Sequence, residues 1–191
     1  MPVEIEIKAG GGATVERLMA VLNGVPDLIA KELTIAVNET ARKHERQIQE
    51  RIASLIVLDR KGREEATWKT HASPTSVQAQ VGVYGIKRMS LKRFNAKQVR
   101  KGVSYKIRKD GGRRLAEGAF GPDIAKLGNH VFKRIGKARF PLRKLRGPSP
   151  GAVYLRNKSL PWSEQEVEKR LVFEVERRIK AVLYKAANQI K

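Results

Sequence analysis

The stretch best equipped for chemistry is KARFPLRKLRGPSPGAVYLR, residues 137–156, where Lys137, Arg139, Arg143, Lys144, Arg146 and Arg156 surround a Phe140-Pro141-Leu142 core. Arg134 stands just upstream. Guanidinium and ammonium groups at this density hold anions through charge-assisted hydrogen bonds. Three uses follow: a nucleic-acid surface, the anion site of an enzyme, or a docking segment in a larger assembly. Pro141 fixes its own φ, and Gly147-Pro148-Ser149-Pro150 restricts the turn that follows, so the segment between is expected to be stiff and to lose little entropy on docking. Arg139, Arg143 and Arg146 are expected to present charge. Phe140, Leu142 and Leu145 would anchor the loop, either within a docking surface or simply against the chain's own core.

Other chemistry is sparse. His44, His71 and His130 are scattered, and none belongs to a His-Glu-x-x-His pair or a similar spacing that puts two ligands on one helical face. Only Asp110, Glu117 and Asp123 supply carboxylates within the most basic segment, which leaves a two-carboxylate mechanism few candidates. The Gly-rich AGGGATVER lacks both the Gly-Lys-Ser/Thr ending of a phosphate-binding loop and the spacing of a dinucleotide fingerprint. No catalytic residue, cofactor or metal ligand is nominated. RKGVSYKIRKDGGRR does interleave Tyr105 with cations, as single-strand platforms do. Yet Tyr105 alternates in phase with Val103 and Ile107, which points it toward the core, and no base-reading signature is evident. Binding to nucleic acid would therefore run through phosphates and be indifferent to sequence.

Charge sets the scale of the partner question. The 191 residues carry 40 Lys+Arg against 19 Asp+Glu, a formal charge of +21, with 41% apolar residues and no Cys. That length and apolar content suit a folded domain with a real core, and the absence of Cys removes disulfides and thiolate metal sites. An excess of this size repels itself unless a polyanion or acidic partner offsets it. Residues 87–146 hold 20 basic and 3 acidic side chains, so 17 of the 21 net charges lie there. A run without mixed signs favours a functional electrostatic surface over a merely solvated face. Glu4 and Glu6 stand where a signal peptide needs apolar residues, and no apolar run is long enough to span a membrane.

These residues need a scaffold, and hydrophobic period supplies one. VEIEIK reads as a strand with Val3, Ile5 and Ile7 on one face, followed by Gly10–Gly12 and a short helical pattern through Leu18, Val21 and Leu22. Asp27 fits an N-cap, and Ile29, Leu33, Val37, Ala41, His44, Ile48 and Ile52 recur every three or four residues, which predicts a long helix over 27–56. His44 falls on its apolar side, where a lone His is a core or interface residue with a satisfied hydrogen bond. Residues 59–76 read as a polar connection. SVQAQVGVYG, GVSYKIRK and HVFKRI are candidate strands of a basic β-region over 75–146, with KDGGRR as a Gly-rich hairpin turn. Ser163 and Glu166 form a Ser-x-x-Glu capping box before Val167, Leu171, Val175, Ile179, Leu183, Ala186 and Ile190, a C-terminal helix over 163–190. The expectation is a single α+β domain over 1–191, a central antiparallel β-region flanked by the two long helices. The C-terminal stripe, widened by Val172, Phe173 and Val182, is longer than a small domain needs. Leu171, Val175, Ile179 and Leu183 are therefore expected at a subunit interface.

The ordered set MSLKRF (89–94), KGVSYKI (101–107), GAF (118–120) and VFKRIGKARFPLRKLRGPS (131–149) resembles the minor tail protein Z family of tailed bacteriophages and prophages, the tail completion proteins. The most specific part is Val131-Phe132-Lys133-Arg134, then Arg139-Phe140-Pro141-Leu142 and Gly147-Pro148-Ser149. The resemblance covers residues 89–149 and implies a non-enzymatic virion protein, assembled in the host cytoplasm and placed at the head-proximal end of a long non-contractile tail. It implies a homohexameric ring that supports head–tail joining and DNA passage. Its partners would be the tail tube or tail terminator protein, head-closure or connector proteins, and genomic DNA or the tape-measure protein; no membrane is involved. It carries over no catalytic residues. Arg134, Lys137, Arg139, Arg143, Lys144 and Arg146 remain the docking or DNA-facing candidates. The alternative is a nucleic-acid-binding protein that acts through phosphate contacts.

Overall fold

A computed structural model describes residues 2–8, 26–157 and 159–189, and the side chains of all of these except 2–8, 26–29, 160–162, 183 and 185–189. The Gly10–Gly12 run, the Leu18–Leu22 pattern, the facing of Val3, Ile5 and Ile7, and Ile190 lie outside the described residues. The fold is α+β, with a long N-terminal helix, central strands in antiparallel sheets and a long C-terminal helix. In chain order the elements are β1 (Pro2–Lys8), α1 (Pro26–Leu55), α2 (Arg60–Glu64), β2 (Thr67–Lys69), β3 (Gln78–Tyr84), β4 (Lys97–Val99), β5 (Gly102–Tyr105), β6 (Arg114–Glu117), β7 (Ala119–Phe120), β8 (Phe132–Arg134), β9 (Leu142–Lys144), α3 (Pro150–Arg156) and α4 (Ser159–Gln189). Single 3₁₀ turns occupy Leu91–Arg93 and Ala125–Leu127. The strands form three sheets, ordered β1-β3-β2, β4-β5-β6 and β7-β8-β9.

The chain divides into two compact units. One comprises residues 1–3, 49–67 and 83–157; the other comprises 4–48, 68–82 and 158–191. In the second, α1 buries Leu33, Val37, Ala41, His44 and Ile48 at the predicted spacing, while α4 buries Val167, Leu171, Val175 and Ile179. Ion pairs stitch the two helices. Arg178 binds Glu32 at 3.0 Å, Arg177 binds Glu39 at 2.9 Å, and Lys43 meets the fully buried Glu174, so positions rise along α1 as they fall along α4, an antiparallel arrangement.

Three expectations about helix ends and faces are corrected here. The helix already includes Pro26, so Asp27 lies inside α1 rather than capping it. Likewise α4 begins at Ser159, which puts Ser163 within the helix instead of at its cap. Its buried hydroxyl meets His44 Nε2 at 2.7 Å, with Gln47 Oε1 at 3.4 Å from Nδ1. The third concerns the supposed interface stripe: Leu171, Val175 and Ile179 are already buried in the chain's own core, so they are not spare surface for a second subunit. Leu183 lies outside the residues whose side chains are described.

The first unit carries the basic segment. Its core contains Ile52, Ile56, Leu58, Met89, Leu91, Phe94, Val103, Val131 and Tyr154. The polar connection expected over 59–76 instead holds α2 and β2, because Asp59 Oδ1 accepts from the Gly62 amide at 2.7 Å and nucleates the short helix. β5 pairs with β6 from Tyr105↔Arg114 to Gly102↔Glu117, so residues 106–113 make a longer loop than the tight turn KDGGRR suggested. Gly147 is fixed by packing. A Cβ there would lie 2.3 Å from the ring of Phe94, which is 0% exposed.

Candidate anion-binding surface

The β7-β8-β9 sheet is extended by an irregular rung from the segment 89–91. The Leu91 amide donates to Leu145 O at 3.1 Å, the Gly147 amide to Met89 O at 2.8 Å, and the Leu145 amide to Val131 O at 2.8 Å. An isolated bridge pairs Ser90 with Arg146. Directly opposed residues of an antiparallel pair point to the same side, and residues two apart along a strand share that side. The register Phe132↔Lys144 and Arg134↔Leu142 therefore gathers Phe132, Arg134, Leu142 and Lys144 on one face; the Ser90↔Arg146 bridge and the hydrogen bond from Ser90 to His130 bring Ser90, Arg146 and His130 beside it, and Lys92, in the 3₁₀ turn, lies near enough for its charge to act on His130 and Lys144. Lys133 and Arg143 oppose each other on the other face.

Of the sequence candidates, Arg134 and Lys144 are thus brought together on one face, with Arg146 beside them. Arg143 is placed opposite, and Lys137 and Arg139 lie in the exposed connection between β8 and β9. Of the two uses expected of Phe140, pinning the loop to the chain's own core is overturned, since the residue is 65% exposed and its ring carries the Arg139 guanidinium at 5.8 Å from its centre. Leu142 and Leu145 are half-buried. Arg134 stacks 5.7 Å from the Phe120 ring centre. Tyr105 is half-buried, in keeping with its alternation.

Partners separate structural cations from available ones. Arg93 is clamped by Asp59 at 2.9 Å and by Glu65, Arg113 donates to the Asn95 and Ser104 carbonyls, and Arg88 donates to Gly147 O. By contrast, Lys133, Arg134, Lys137, Arg139, Arg143, Lys144 and Arg146 have no carboxylate partner among the described residues. The field they create is visible in their neighbours. Burial, then the charges of Arg146 and Lys92, push the Lys144 ammonium below its ordinary pKa, with Glu65 opposing. Burial, then Lys144, Lys92 and Arg93, push the His130 imidazole down as well. His130 is oriented by Ser90 Oγ, 3.0 Å from Nδ1, and by an edge-on contact with Phe132.

Sequence reasoning missed Lys92 and His130 as members of the site, because the pairing of 89–91 with 145–147 is a long-range event without a local pattern. The ordered co-occurrence of MSLKRF with VFKRI and RKLRG was the only available signal. Among the described residues no group of three His, Asp or Glu side chains could hold a metal ion, and no helix is long and apolar enough to cross a membrane. Chemically, the face can hold phosphate or carboxylate groups by charge-assisted hydrogen bonds. The chain matches no protein-family model, no curated protein and no solved structure.

Proposed function

We propose that the chain is a structural, non-enzymatic component of a long-tailed phage virion. It completes the tail at its head-proximal end and uses its cationic strand region to dock a polyanion there. One observation supports this function: the separated segments of the tail-completion resemblance adjoin in a single unit, and the cations of residues 131–149 lack carboxylate partners among the described residues. A folded protein that leaves like charges side by side on a sheet forgoes stability unless a ligand neutralises them. Ring assembly around a conduit for DNA would place such a surface where sequence-indifferent contacts are useful. Replacing Arg139 and Arg143 with Ala should leave the fold intact but impair tail completion, scored by infectivity and by electron microscopy of tails. Unchanged infectivity removes the loop from the function.

The unpaired face also favours a second function, a nucleic-acid binder acting on its own. Light scattering separates the two. A ring-forming or tail-binding species supports tail completion, whereas a monomer that binds DNA strongly near physiological salt supports the alternative.

A further inference from the structure

We infer that Lys92, His130, Lys144 and Arg146 form a discrete site for a nucleic-acid backbone phosphate, with the Ser90 hydroxyl orienting His130 toward it. The inference rests on the polyanion docking proposed above and specifies where on that surface a phosphate sits. Three features distinguish this cluster from the general positive charge. The first is rigidity: Lys144 lies on β9 between β8 and the 89–91 rung, and Arg146 is bridged to Ser90, so neither backbone can splay to relieve repulsion. The second is the absence of a counter-charge. Glu65 is engaged by Arg93, and Lys92 reaches only a carbonyl, that of Gly128, at 3.1 Å. The third is mixed donor chemistry. In the tautomer in which the Ser90 O–H donates to Nδ1, the proton of a neutral His130 resides on Nε2, which makes no hydrogen bond among the described residues and can donate to an anion.

A phosphodiester suits this set better than a carboxylate side chain. Its neighbouring phosphates continue along the same face to Arg134, while the rings of Phe120 and Phe132 on that face offer stacking surfaces to bases. The groups facing His130 are Lys144, Lys92, Arg93 and Glu65. Occupancy by an anion offsets the three cations, so by linkage binding favours protonation of His130, and mild acid tightens the complex.

The test uses the full chain and a short DNA duplex, followed by fluorescence anisotropy across a salt series. Lys144→Gln with Arg146→Gln keeps the side-chain stems, and unfolding curves check that the fold survives. The expected outcome is a loss of about tenfold or more in affinity and a shallower salt slope, by about 1, as for one lost phosphate contact. The control, Lys97→Gln with Arg100→Gln, removes equal charge from the β4 region, outside the cluster, and should weaken binding clearly less than the cluster pair does. NMR should show the His130 pKa rising when duplex is added. If the control pair weakens binding as much as the cluster pair, there is no discrete site. If the cluster variant binds like wild type, the phosphate sits elsewhere while polyanion docking stands. If wild type does not bind duplex but binds polyglutamate, the nucleic-acid assignment fails and an acidic protein takes its place.

Discussion

Replacing His44 with Gln should remove a specific part of the protein's sensitivity to acid. His44 is 1% exposed, and burial, which outweighs the Gln47 hydrogen bond and the Glu166 charge, lowers its pKa from 6.5 to about 4. Between those values the unfolded chain binds a proton that the folded chain does not, so stability rises with pH through that window and is lost as pH falls. At about 1.4 kcal/mol per pH unit, the loss on acidification from neutrality to the bottom of the window is about 3 kcal/mol. Gln can keep a hydrogen bond to Ser163 and does not titrate, so the variant should decline less steeply than wild type, by the His44 share. Urea unfolding followed by tryptophan fluorescence is a suitable assay, because Trp68 and Trp162 belong to the same unit as His44. His130 shifts in the same direction, and a His130→Gln control isolates its share. A wild-type curve that changes by less than about 1 kcal/mol across the window, or a variant with the same slope, would refute the assignment of this acid sensitivity to His44.

Other expectations test the packing. Burial opposes ionisation of Glu174, but hydrogen bonds and charge from Lys43 and Arg177 hold it below the ordinary 4.5, so its stabilisation is present above that value and lost as pH falls through the folded pKa. Glu174→Gln should lower stability at neutral pH by about 1–3 kcal/mol and flatten the acid limb of a stability–pH curve. Gly147→Ala forces a Cβ into Phe94 and should cost about 1–3 kcal/mol by calorimetry, partly recovered when Phe94→Leu makes room. Asp59→Ala removes the α2 cap and one partner of Arg93, and should cost about 1–2 kcal/mol in chemical denaturation.

The long helices were legible because burial repeats with helical period, and α1 buries the residues that period selected, from Leu33 to Ile52. β3, β5 and β8 were legible from alternation, and the cationic character of residues 87–146 from composition alone. What the period could not reveal is what a stripe packs against. Leu171, Val175 and Ile179 have the same pattern whether they meet a neighbouring subunit or their own chain, and only the tertiary structure assigns them to the latter. The capping box failed for a related reason: Ser-x-x-Glu occurs inside helices too, and the partner that claims Ser163 is His44, more than a hundred residues away. The sequence left Phe140 open between a docking surface and the core because an aromatic among cations can face inward or outward with identical spacing, and here it faces solvent. Which cations form a site was decided by the pairing of 89–91 with 145–147, since register between distant segments sets which side chains share a face.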